Sequence, residues 1–80
     1  MCQVEKIKKQ VLIKLGKNIR SLRLNQGISQ EELAFKIDSA RNFIGCIERA
    51  EKSPTIYTLF RIAQALNVKI EEVVKNIDEI

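Results

Sequence analysis

The sequence predicts an all-α fold of five helical segments in one domain. Three observations carry this. Apolar residues recur at helical spacing through nearly all of the 80 residues. Cap-forming residues stand at the breaks between those stretches. One Pro and three Gly are too few for an all-β chain crowded with turns or for a disordered linker. A chain of this length suits a single domain with a modest core.

The first stripe is Ile7, Val11, Leu15, Ile19 and Leu22, spaced by four or three residues, with Lys and Arg around much of the remaining circumference. Gly16 interrupts it. The stretch is therefore either one long helix or an N-terminal helical extension over 1–15 ahead of a core region over 16–68. Asn25-Gln26-Gly27 ends it, Gly27 being suited to a left-handed cap. Ser29-Gln30-Glu31-Glu32 is a capping box, in which the Ser29 hydroxyl accepts from the Glu32 N–H and the Glu32 carboxylate reaches back.

Leu33, Ala34 and Ile37 form the inner face of this second helix, which ends near Asp38. Asp38-Ser39-Ala40 is a tight break, and a third helix carries Phe43, Ile44 and Ile47. Ala50 to Ser53 forms a loop. Pro54-Thr55 opens the fourth helix, with Thr55 as N-cap and Leu59, Ile62, Ala63 and Leu66 as the buried stripe. Asn67 tolerates a left-handed turn. Ile70, Val73, Val74, Ile77 and Ile80 give a C-terminal helix over 69–80.

Composition narrows the function classes. No apolar run approaches bilayer length, and the N-terminus lacks a signal-peptide core, so a cytoplasmic protein is expected. Cys2 and Cys46 are far apart and read as free thiols. The chain has no His, which removes the commonest metal ligand and general base. No catalytic site, metal, cofactor or small-molecule ligand is expected. The net charge of +4 is uneven. Residues 1–23 carry Lys6, Lys8, Lys9, Lys14, Lys17, Arg20 and Arg23 against Glu5 alone, a balance of +6. Residues 53–80 sum to −1. The basic end suits either an anionic partner or a solvated helix face.

Two short helices around a tight turn, from about Ser29 to Glu51, fit a helix-turn-helix whose second helix enters the major groove of DNA. The first helix needs a small residue where the second crosses it, and Ala34 is there. Ile44 and Ile47, three apart, can lock the second helix onto the first. Arg41, Asn42, Cys46 and Arg49 then fall near the outward face.

GKNIRSLRLNQGISQEELAFKI, residues 16–37, and RNFIGCIERAEKSPTIYTLFRIAQALNV, residues 41–68, together resemble the Cro/repressor, or XRE, family of helix-turn-helix regulators. SQEELA, the spacing from Ile44 to Glu48, SPT and the ALNV ending fall in register. The resemblance implies a compact five-helix, lambda-repressor-like domain. A chain this short with an N-terminal extension also resembles restriction–modification controller proteins.

What the resemblance implies can be carried residue by residue. Arg41, Asn42 and Cys46 fall at base-reading positions. Ser29, Gln30, Arg49, Lys52 and Ser53 fall at phosphate-contacting ones. Gln30 also braces the recognition helix, and Arg23 with Glu48 matches a structural pair. Arg41 presents a fork suited to guanine O6 and N7, and Asn42 can pair with adenine. The plainer roles stay open: Arg41 in solvent, Asn42 as a cap, Phe43 in packing between helices 1 and 3, Cys46 as a small apolar filler, and Lys6, Lys8 and Lys9 as solvated charge. Asp38 and Ala50 stand where the family commonly has Gly, and Ala40 where Ser or Thr caps helix 3.

A single such motif reads few base pairs, so a homodimer on two half-sites is expected, with Val73, Ile77 and Ile80 at the dimer contact. The expected function is a regulator of transcription that binds double-stranded DNA in a sequence-specific way. An adaptor module on the same fold and an antitoxin-type autoregulator are the competing readings.

Overall fold

The computed structural model describes residues 2–80, with side chains from Val4 onward. The Cys2 thiol therefore lies outside the described residues, whereas Cys46 is a half-buried free thiol. Five helices follow in order: α1 (Cys2–Asn25), α2 (Gln30–Lys36), α3 (Phe43–Glu48), α4 (Ile56–Ala65) and α5 (Ile70–Val73). There is no strand among the described residues.

α1 runs unbroken through Gly16. At about 1.5 Å per residue its 24 residues span roughly 36 Å, close to the 37 Å long axis of the molecule. Gly16 is there for packing, not to break the helix. A Cβ at that position would lie 2.7 Å from the Glu48 carbonyl oxygen and 2.8 Å from that of Ile47. The end of α3 thus rests directly on the α1 backbone. α1 stops at Gly27, whose φ of 68° is left-handed, and the Ile28 N–H donates back to the Arg23 carbonyl at 3.3 Å.

α2 begins with the full capping box: Glu32 N–H to Ser29 Oγ at 3.0 Å, and Ser29 N–H to Glu32 Oε1 at 3.1 Å. Asp38 ends its last turn at φ 56°, and the Ser39 N–H returns to the Ala34 carbonyl at 2.9 Å. Ala50 turns the chain after α3 at φ 62°. Both positions adopt the left-handed conformation without glycine, at a steric cost of roughly 1–2 kcal/mol for a residue carrying Cβ. Thr55 caps α4 by accepting from the Thr58 N–H at 3.1 Å, and Asn67 closes it at φ 57°.

The core gathers one face from every helix. Ile19, Leu33, Ile44, Ile47, Ile62, Leu66 and Val73 are fully buried. Ala34 is 1% exposed, which permits the close approach of α2 and α3.

α3 begins at Phe43, so Arg41 and Asn42 sit in the turn before it and not in its first turn. Neither Ala40 nor Asn42 supplies a side-chain cap; the Ala40 carbonyl accepts from the Phe43 N–H at 3.0 Å, which winds the entry as a bare turn. The C-terminal helix expected over 69–80 is only the four residues of α5. Asn76 at φ 59° takes the chain out of helical register. The side chain of Asn18 holds the end of α5 by donating to the carbonyls of Val73 and Lys75 at 2.9 and 2.8 Å. No helix of the described residues is long and apolar enough to cross a membrane.

Candidate nucleic-acid interface

α1, α2 and α3 are tied together by one carboxylate. Arg23 is buried near the end of α1, and its Nε and Nη2 donate to the two oxygens of Glu48 at 2.7 and 3.0 Å. Its Nη1 donates to the Ile28 carbonyl at 2.9 Å. Gln30, at the start of α2, donates from Nε2 to Glu48 Oε1 at 2.9 Å. The hydrogen bond from Arg23 to Glu48 raises the guanidinium pKa above its ordinary value, burial opposes that shift, and the attraction of the paired charges adds to it. A planar two-point pair of this kind fixes angle as well as distance, so the end of α3 is set against both neighbouring helices.

Gly45 belongs to the same arrangement. A Cβ there would meet Arg49 Nη1 at 3.0 Å and Gln30 Oε1 at 3.1 Å. The missing side chain lets those two polar chains lie across α3. Neither Gly16 nor Gly45 stood out in the sequence as a contact point, because nothing local distinguishes a glycine under a neighbouring backbone from one at a break.

The outward face is held far more loosely. The Arg41 side chain is 83% exposed, its Nε 3.0 Å from Glu31 Oε2 on α2. Such an exposed pair contributes little and exchanges readily for another anion. Asn42 is exposed and makes no side-chain capping bond, which leaves its amide uncommitted. Cys46, one turn along α3, is half-buried, with its Sγ 3.8 Å from Arg49 Nη2. Phe43 lines a cleft with Ile37, Tyr57 and Thr58. It is half-buried against the core.

Of the residues placed at phosphate positions, Ser29 is engaged in the α2 cap and Gln30 in bracing Glu48. Arg49 forms a two-point pair with Glu51 at 2.9 and 3.3 Å on the surface after α3. The hydrogen bond to Glu51 raises Arg49 above its ordinary pKa. The same bond holds the Glu51 carboxyl below the usual carboxylate range, with a small contribution from Lys9 on α1. Lys52 and Ser53 are exposed in the loop that follows. Arg41, Asn42, Cys46, Arg49, Lys52 and Ser53 thus run in chain order from the turn before α3 to the loop after it.

The residues expected at a dimer contact are not brought together as one surface. Val73 is corrected: it is wholly buried inside the monomer and has nothing to present to a second chain. Ile77 is half-buried against the core, and Ile80 is 60% exposed. The larger apolar surface lies on α4, where Ile56, Tyr57 and Phe60 are exposed and the two rings stack with centroids 6.4 Å apart. The signal was present in the sequence. These three residues fall outside the Leu59, Ile62, Ala63 and Leu66 stripe that packs inward.

Comparison with known proteins matches residues 19–73 to the helix-turn-helix family model. Control protein C.SmaI of Serratia marcescens is 41% identical over 56 residues, covering 70% of this chain and 67% of its own. The restriction–modification controller protein C.AhdI of Aeromonas hydrophila superposes with a TM-score of 0.75 at 34% identity, over 78% of this chain and 94% of that one. A second similar structure is the restriction–modification controller protein C.Esp1396I tetramer in complex with its natural 35 base-pair operator. It has a TM-score of 0.69 at 34% identity, covering 81% of this chain and 96% of that one.

Proposed function

The chain belongs to the XRE-type helix-turn-helix family, and from that premise we propose that it is a sequence-specific transcriptional regulator of the restriction–modification controller type, binding double-stranded operator DNA as a homodimer. The observation that carries this is the contrast on α3: its inner end is clamped by Arg23, Gln30 and Glu48, while Arg41 and Asn42 stand exposed at its outer end. A helix held that way can enter a major groove with its first side chains leading. Arg41 and Asn42 then read base edges, and Lys52, Ser53 and Arg49 neutralise or hydrogen-bond phosphates. Cys46 lies one turn deeper, where its small side chain limits it to van der Waals contact with a base edge. Gln30 contributes chiefly by holding Glu48, and Ser29 by holding α2.

The apolar face of α4 supports the dimer. Ile56, Tyr57 and Phe60 form a cluster of the kind that monomeric proteins rarely leave uncovered, and a two-fold interface uses the same patch on both copies. Ile80 supplies apolar surface at the other end of the chain.

Selection of bound duplexes from a random pool tests the function. The expected product is a palindrome with half-site centres about 10 base pairs, or one helical turn, apart. Recovery of duplexes with no common sequence overturns sequence-specific reading. For the dimer, sedimentation at tens of micromolar, well above a dissociation constant of about 1 μM, is expected to show two chains associating. Phe60→Glu is expected to leave one.

A further inference from the structure

We propose that the exposed basic stripe Lys6, Lys9, Lys17 and Arg20 on α1 is a second DNA-backbone surface, contacting phosphates of the duplex that flanks the half-site. The proposal rests on the DNA-binding function above but concerns a part of the chain outside the helix-turn-helix. Three of its four residues also precede the matched family region, which begins at residue 19.

Helical geometry gives the stripe its position. With about 3.6 residues per turn, these four side chains fall within about 80° of arc on one side of α1. The line through Gly16 borders that arc, and Gly16 is where α1 meets the carbonyls of Ile47 and Glu48 at the end of α3. Lys9 lies two turns before Gly16 on nearly the same line, so it shares the side of α1 on which the end of α3 packs. The effect of Lys9 on the Glu51 carboxyl agrees with that placement.

Charge and solvation fit the same role. All four residues are exposed, and none is held in an ion pair among the described residues. By contrast Arg23, the remaining arginine of α1, is buried against Glu48. Glu5 is the single acid on α1. A rigid helix carrying unpaired cations next to the loop that bears Lys52 extends the basic surface of the reading face. Duplex DNA presents about one charge per 1.7 Å of axis, and four cations spread over roughly 21 Å of helix, at about 1.5 Å per residue, can meet several phosphates along a backbone.

The experiment is a salt titration of the full chain on its selected operator, once within a long duplex and once trimmed to the half-sites. It compares wild type, Lys6→Gln with Lys9→Gln, and Lys69→Gln with Lys75→Gln. The second pair removes the same charge from the flanks of α5, outside the stripe, and glutamine keeps helix propensity close to that of lysine. On the long duplex, the α1 pair is expected to reduce the slope of log K against log salt by about 1.8, or 0.9 per lost phosphate contact. The Lys69 and Lys75 pair is expected to leave the slope within a few tenths of wild type. On the trimmed duplex the α1 pair should match wild type. The preference for operator over scrambled sequence should be retained by both pairs. Equal slopes for all three proteins on the long duplex, or equal reductions by both pairs, overturn the stripe as a contact surface while leaving operator binding intact. Failure of the wild type to bind any duplex overturns operator binding, and the stripe with it. Circular dichroism of each variant shows that α1 is still folded.

Discussion

The two ends of α3 are built on opposite terms. At its C-terminal end Glu48 is engaged by Arg23 and Gln30, and the backbone rests on Gly16. At its N-terminal end the entry is an uncapped turn, Asp38 is left-handed, and Arg41 is paired only with a surface glutamate. The difference teaches how a short helix can be aimed and still be adaptable. Six residues of helix are too few to be stable alone, so direction is imposed from the buried end. The exposed end keeps side chains that lose little by exchanging a solvent-screened partner for a ligand.

Breaking the buried end should therefore unfold the domain, whereas changes at the exposed end should not. The largest effect is expected for Glu48→Ala, which strands a buried Arg23 and releases Gln30. Removing one partner from a buried ion pair costs about 3–5 kcal/mol, a large share of the stability of a domain this size. Urea denaturation should show this as a fall in midpoint without a change in slope. A loss below about 1 kcal/mol would mean that the pair is not what fixes α3.

Gly16→Ala comes next. The added methyl meets two backbone carbonyls, which cannot rotate away as side chains can. Overpacking of this kind costs about 1–3 kcal/mol, even though alanine alone favours a helix by about 1 kcal/mol. A stabilised variant in thermal melting would mean that α1 and α3 do not touch there. At the exposed end the sign reverses. Asp38→Gly removes steric strain from a left-handed, exposed position, and a gain of about 0.5–1 kcal/mol is expected after the extra chain entropy is counted. A melting temperature lower than wild type contradicts a strained turn.

The parts legible in the sequence were those with a local chemical cause. Ser29 and Glu32 announce the start of α2 from three residues apart, Thr55 announces α4, and Gly27 and Asn67 mark ends that need the left-handed region. The pairing of Arg23 with Glu48 was legible only through family resemblance, since their separation of 25 residues leaves no local trace. Nothing in the sequence marks Asn18, whose amide holds carbonyls 55 and 57 residues away. Periodicity misled at the C-terminus. Ile70, Val73, Val74, Ile77 and Ile80 have helical spacing, but their outcome was decided by what they pack on. Val73 is drawn into the core, Asn76 turns the chain, and Ile80 is left on the surface. The start of α3 has no local mark for a related reason. Without a capping side chain, only the packing of Phe43 and Ile44 sets where the helix begins.

The claim that α3 is held at one end so that it can read at the other is tested most directly by comparing Arg41→Ala with Lys52→Ala on the selected operator and on scrambled duplexes. Arg41→Ala is expected to remove about 1–3 kcal/mol of preference for the operator, leave binding to scrambled DNA nearly unchanged, and melt within about 0.5 kcal/mol of wild type, as surface substitutions do. Lys52→Ala is expected to weaken every duplex alike and lower the salt slope by about 0.9. If Arg41→Ala weakens all sequences equally, or if it unfolds the domain, the exposed end of α3 is not a reading head and the central claim is wrong.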